Sequence, residues 1–318
     1  MGTVRTVAGD IAPEKLGFTQ SHEHLFLAKG RSWEVNPALC IDDPERSLAE
    51  LLSYREAGGR SLVDAQPVGC GRSARVLRAL SEKSGVGIVA STGFHKAVFY
   101  PSDHWLFSMP EEELRALYIR ELTVGMAEDC DNVRPAVWTD IRAGQVKAAL
   151  DACGLEGPYE KLFRAACGAA AETGAPLMIH VERGADAPAL ADFLEAEGLA
   201  PGRMIFCHLD RAEPDLEVHK RLAARGCFLE YDTIGRFKYH SDEREAEILL
   251  ELAAAGHAGR ILLSLDTTRA RLRAYGGEPG LDYLIRVFLP LLRERGGEEL
   301  ARRAMLENPP RALGAAWR

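Results

Sequence analysis

The chain has 318 residues, 47% apolar and 27% charged, with 47 acidic against 39 basic side chains and a net charge of −8. That composition fits a globular protein with a sizeable core and leaves no basic excess to meet a nucleic-acid backbone. Seven cysteines, an odd number without a C-x-x-C pair, argue against a disulfide framework and fit a reducing cytoplasm, and no apolar run reaches the roughly 18 residues that a membrane span needs.

The opening "MGTVRTVAGDI" carries no charged segment ahead of a long apolar run, so no signal peptide is expected. Glycine second and threonine sixth match the loose myristoylation pattern, but a short opening strand is the better reading. Eight strands are then predicted in chain order. They are "GFTQSHEHL" at 17–25, "SLVDAQP" at 61–67, "GIVASTG" at 87–93 and "AGQVKAA" at 143–149. The second four are "APLMIHV" at 175–181, "RMIFCHL" at 203–209, "CFLEYDT" at 227–233 and "RILLSLD" at 260–266. Amphipathic helices such as "PYEKLFRAACGAAAETG" and "LEVHKRLAARG" lie between them, each ending in a glycine. The long insertion 94–142 contains at least one helix, "PEEELRALYIRELTVGM", and the tail "EELARRAMLENPPRALG" reads as a closing helix ended by its proline pair. Eight βα units predict an α/β fold of the (β/α)8 TIM-barrel type, one domain over 1–318. The rival, an open doubly wound sheet, would show a Gly-rich turn after its first strand, and none is present.

Polar residues gather at the C-terminal ends of these strands, where a barrel places its catalytic groups. His22 and His24 end the first, Lys147 lies late in the fourth, His180 ends the fifth, His208 the sixth and Asp266 the eighth. Side chains two apart on a strand share a face, so H-x-H at 22–24 can present both imidazoles to one metal ion. Imidazole with carboxylate suits zinc, and also iron, cobalt, nickel or manganese. Any one of these histidines alone reads better as a structural residue. Several at matching depth on different strands read better as a metal site. Lys147 has apolar neighbours on both sides. A buried amine gives up its proton readily and can add carbon dioxide, forming an anionic carbamate able to bridge two cations. The plainer reading is a lysine snorkelling from a strand edge. Asp266, after "ILLSL", is a carboxylate that needs a partner or a metal. His219 and His257, on or near helices, read as surface or capping residues. His95, His104 and His240 fall in loops after strands three and seven.

"TQSHEHL", the stretch from "RAGQVKAALD" to "PLMIH", "FCHLDR", "LLSLD" and "LENPPRALG" together resemble the phosphotriesterase-like branch of the amidohydrolase superfamily, over nearly the whole chain. "SLVDAQPVGCGR", "ASTGFHKAVFYPSDHW" and "RAYGGEPGLDYL" are most similar to its bacterial sugar-lactone-phosphate hydrolases. The resemblance implies a lactone-opening hydrolase with two divalent ions, zinc or else manganese, cobalt or iron. It implies that His22, His24 and Asp266 hold one ion, that His180 and His208 hold the other, and that the carbamate of Lys147 bridges them. Asp266 would be the catalytic residue, taking the proton of a bridging hydroxide that attacks the carbonyl. A homodimer is implied as well. One departure is Leu265, where the family often has a histidine before the aspartate; it touches only contacts outside the ligand set.

Barrels often bind phosphate with the loops after strands seven and eight. Here those loops carry Arg236 and Lys238, then Arg271, Arg273 and Tyr275, and an anionic small-molecule substrate is expected there. Lys238, Arg271 and Tyr275 are the first choices to point into the mouth. A second expectation is an apolar pocket for acyl-homoserine lactones or organophosphate esters, built from Phe94, Phe99, Tyr100, Trp105 and Phe107. A third is a metal-free binding protein on the same barrel.

Overall fold

A computed structural model describes residues 2–317. Eight strands pair in parallel in chain order: β1 Thr19–Glu23, β2 Ser61–Asp64, β3 Gly87–Gly93, β4 Gln145–Leu150, β5 Leu177–Val181, β6 Met204–Cys207, β7 Phe228–Tyr231 and β8 Ile261–Leu263. The last returns to the first. The Asp266 N–H donates to the His22 carbonyl at 3.0 Å, and Ser264 Oγ accepts the His22 N–H at 2.8 Å. Glu23, the residue between the two histidines, fastens the seam. Its carboxylate accepts from Ser264 Oγ at 2.7 Å, Leu265 N at 3.0 Å and Thr267 N at 3.1 Å. The result is a barrel of the predicted class.

Alternation along the strands sorts side chains between two cores. Val63, Val89, Met178, Ile205, Phe228 and Leu262 pack together inside the barrel. Their neighbours Leu62, Ile88, Ile179, Phe206, Leu229 and Leu263 pack outward under the helices. Val146 and Ala148 belong to the outer set, so Lys147 between them faces inward. By the same parity His180, next to outward Ile179, also faces in.

The outer layer is α1 Pro44–Glu56, α2 Ala74–Ser84, α3 Glu111–Thr123, α4 Tyr159–Thr173, α5 Ala187–Ala196, α6 Leu216–Arg225 and α7 Asp242–Ala254. The glycine stops hold: Gly174 and Gly226 sit at φ 78° and 107°, a conformation that L side chains rarely adopt. The insertion contributes α3 and a small hairpin, Ala127–Glu128 with Val137–Trp138. The tail differs from expectation. Helical structure over 298–313 runs through the prolines, which open its last segment, Asn308–Leu313, after a wide turn at Arg303–Glu307. Proline is tolerated in a first turn, where its missing N–H would have no partner anyway. No helix among the described residues is long and apolar enough to cross a membrane.

Two histidines off the strands take structural roles. His219 is a correction, for it is fully buried rather than superficial. Its Nε2–H donates to Glu213 O at 2.9 Å, and its Nδ1 accepts from Tyr231 Oη at 2.8 Å. His104 caps the short helix Trp105–Ser108, its Nδ1 accepting the Leu106 N–H at 3.2 Å while Nε2 meets the Asp131 carbonyl at 2.9 Å. That pattern requires the neutral ring, and burial lowers its pKa to about 4. Because the folded value lies below the unfolded value of about 6.5, this contribution to stability is present above pH 6.5 and is lost as pH falls toward 4. The expected outcome for His104→Asn, which caps without titrating, is a melting temperature that declines less than the parent's over that window, read by calorimetry.

Candidate metal centre at the strand ends

Backbone ties set the first two imidazoles. The His24 N–H reaches Thr267 Oγ1 at 3.3 Å, and the next amide, Leu25, donates to Asp64 Oδ2 at 2.8 Å. His22 Nε2 and His24 Nε2 then lie 3.7 and 3.5 Å from Asp266 Oδ1. These three residues form one buried group able to hold an ion. Lys147 Nζ is 3.2 Å from His22 Nε2, fully buried, with no carboxylate in ion-pair range among the described residues. The His208 ring lies 4.9 Å from that of His22 and 4.5 Å from that of His180. All six predicted residues therefore meet at one mouth, though His180 Nε2 stands 3.5 Å from Glu182 Oε2 rather than inside the tightest groups.

His208 and Asp266 lie just past their strands, with φ of 65° and 49°. Non-glycine residues pay for that conformation, and such strain concentrates at functional sites. Asp232 orients His208: Nδ1 lies 2.6 Å from its Oδ1, and an Nδ1–H donated there leaves Nε2 with its lone pair outward, the arrangement that metal-binding histidines use.

Strand seven supplies two groups that the strand-end reading missed. Glu230 Oε1 is 2.9 Å and Asp232 Oδ2 3.5 Å from His22 Nδ1. With Cys207 and His22 they form a second buried group, and His208, Asp232 and Asp266 form a third. The signal was present as E-x-D at the end of "CFLEYD", the same two-residue spacing as H-x-H. These carboxylates give the pocket more acid than the single aspartate that the sequence reading placed there.

Electrostatics separate the acids. Burial, partly offset by Lys147, pushes Glu230 up to about 8, and burial with Asp210 and Asp266 nearby pushes Asp232 well up. Burial would also raise Asp266, but Arg236, His24, His208 and Arg211 outweigh it and hold that carboxyl well below the usual range. Arg236 Nη2 and Arg211 Nη1 lie 3.0 and 3.2 Å from Asp266 Oδ2. Burial drives the His22 and His208 rings toward the neutral form, and lowers His180 to about 4. Neutral imidazoles are the form that binds metal.

The loop cations divide. Arg236 reaches the strand ends, and so does Arg211, which sequence reasoning had not singled out. Arg271 is buried. It donates from Nη2 to the Ile234 carbonyl at 2.5 Å, and its Nε and Nη1 have no hydrogen-bond partner. Lys238 is exposed, its ammonium over the Tyr239 ring at 4.7 Å. Arg273 turns out toward Asp282, 2.7 Å away, because that carboxylate offers a partner beside its surface turn. Tyr275 spends its hydroxyl on Asp43 O at 2.6 Å and Ser47 Oγ at 2.9 Å. The aromatic set of the apolar-pocket reading is mostly core: Phe94, Tyr100 and Trp105 are buried, Phe94 packing edge-on against Phe163. His95, left as a bare loop residue by the sequence, lies with its ring 5.5 Å from that of His180.

Residues 2–313 match the Phosphotriesterase family. A phospho-furanose lactonase of Mycoplasmopsis agalactiae is 30% identical over 98% of this chain and 90% of its own. The crystal structure of an amidohydrolase from Mycoplasma synoviae superposes with a TM-score of 0.94 at 30% identity, covering 99% of this chain and 92% of that one. A lactonase from Listeria monocytogenes superposes at 0.88 with 29% identity, over 98% of both chains.

Proposed function

The chain belongs to the phosphotriesterase family, and from that premise we propose that it is a metal-dependent hydrolase that opens the lactone ring of a phosphorylated sugar. Its donor set fits two divalent ions. His180 Nε2, Asp232 Oδ2 and both Glu230 oxygens are buried without hydrogen-bond partners, a cost that cations at this centre would remove. His22, His24 and Asp266 would hold one ion and His180 and His208 the other, with Lys147, as a carbamate, between them. When bound, such ions ionise a water and polarise an ester carbonyl. The protein's own groups do the rest. Asp232 fixes the tautomer of His208. Asp266 receives the proton at Oδ1 or Oδ2, with Arg211 and Arg236 keeping it ionised beforehand. It can return that proton to the ring oxygen, so that the product is a hydroxy acid.

The observation that carries the phosphate reading is Arg271. Its guanidinium is buried with two N–H-bearing nitrogens unspent, and burial and the neighbouring Arg236 lower it to about 10. Crowded, desolvated cations invite an anion, and arginine forks match phosphate oxygens. Zinc-loaded protein should hydrolyse furanose lactone phosphates with kcat/KM roughly 10²-fold or more above the unphosphorylated lactones. Arg271→Met should raise KM for the phosphorylated substrate and leave the unphosphorylated one nearly unchanged. Equal rates on both substrate classes would remove the phosphate from this account. Hydrolysis of long-chain lactones alone would favour an apolar pocket instead.

A further inference from the structure

Below the loop after β7 lies a second cluster, apart from the strand-end groups. Asp210, in the short helix Leu209–Ala212 after β6, His240, at the end of the loop after β7, and Glu245, in the first turns of α7, bring one oxygen or nitrogen each within 4.8 Å of the others. Every atom that faces this point lacks a hydrogen-bond partner: Asp210 Oδ1, His240 Nε2 and both oxygens of the fully buried Glu245. We propose that these three side chains hold a third divalent cation, of the zinc or manganese class, which pins the β7 loop to the barrel.

The groups are already oriented for a ligand. Asp210 uses its other oxygen, Oδ2, to accept the Asp232 and Thr233 amides at 3.0 and 2.6 Å, which aims Oδ1 at the cluster. His240 Nδ1 faces the Ser241 carbonyl at 3.2 Å. A carbonyl only accepts, so Nδ1 carries a proton, and a ring that binds a metal here would present its Nε2 lone pair beside two carboxylates. That arrangement is repulsive until a positive charge stands between them. His240 Nε2 and Glu245 Oε2 are 3.0 Å apart without forming a hydrogen bond, a separation common between two ligands of one ion. The Tyr231 hydroxyl, on which the charges of Glu245 and Asp210 bear, is spent on His219. Burial and the charges of Asp210 and Asp242 push the Glu245 carboxyl well up, and a cation would reverse that effect. A mixed carboxylate–imidazole set with room for water suits zinc, manganese, iron or cobalt. The consequence reaches the mouth, because the tethered loop carries Arg236, which touches Asp266.

The test is anomalous diffraction from crystals of the full chain equilibrated with zinc, paired with metal counts on dialysed protein. The expected result is a peak among Asp210, His240 and Glu245, and a loss of about one zinc per chain in Glu245→Gln. His240→Gln, on a partly exposed loop, should lose the same equivalent and covers the case in which Glu245→Gln does not fold. No peak at these donors overturns the proposal, whatever the strand ends hold, and leaves His240 as an imidazolium paired with Glu245. No peak at the strand ends, with this one present, overturns the two-ion reading alone.

Discussion

Lys147→Met is expected to drop the metal content from about two strand-end ions per chain to below about one, and to cut lactone hydrolysis at least about 10³-fold. Methionine matches the lysine stem in length and is apolar, so the space that Lys147 fills inside the barrel stays occupied and the barrel persists. What disappears is the amine 3.2 Å from His22 Nε2, the only predicted ligand that has to be chemically altered before it can bind. Glu230 and Asp232 make the experiment informative. If these carboxylates supply enough negative charge by themselves, the variant keeps both ions and loses less than about tenfold in rate, and the carbamate has no place in the mechanism. Elemental analysis beside steady-state kinetics reads both quantities.

Arg72→Met is expected to cost about 3–5 kcal/mol of stability, a fall of roughly 5–10 °C in melting temperature, because it strands a buried carboxylate. Arg72 and Glu121 are each at most 1% exposed in their side chains and pair two-pronged, Nη2 to Oε1 at 2.7 Å and Nη1 to Oε2 at 2.9 Å. The same guanidinium donates to Ser91 O at 2.7 Å and Ala127 O at 3.0 Å, tying the loop after β2 to β3 and to the insertion hairpin. Removing both charges, as Arg72→Met with Glu121→Gln, should recover part of the loss, since the cost comes from the unpaired acid more than from the missing bond. A single variant as stable as the parent in denaturant titration would show that water or a neighbouring cation reaches Glu121.

Legibility in the sequence followed the range of the interaction. Periodicity placed all eight strands, because alternate burial is a local property that each segment carries by itself. It overran their ends. His24, His208 and Asp266 stand beyond the last ladder bond, where the strands splay and the backbone turns. The Arg72–Glu121 pair spans 49 positions and leaves no periodic trace. His219 was misplaced for a related reason: its helix position reads as polar surface until Tyr231 and Glu213 arrive to satisfy both ring nitrogens.

By itself the sequence determined the eight βα units and the candidate ligands His22, His24, Lys147, His180, His208 and Asp266, while the packing of Val146 and Ala148 decided that Lys147 faces inward. Strand period and apolar context are local, and those residues sit at corresponding points of separate units. Only the tertiary structure decided that Glu230 and Asp232 join the centre, that Arg211 and Arg236 meet Asp266, and that Arg273 and Tyr275 find partners elsewhere. A long charged side chain takes whichever partner the folded chain brings within about 3–4 Å, and for Arg211 and Arg236 that partner, Asp266, stands 55 and 30 positions away.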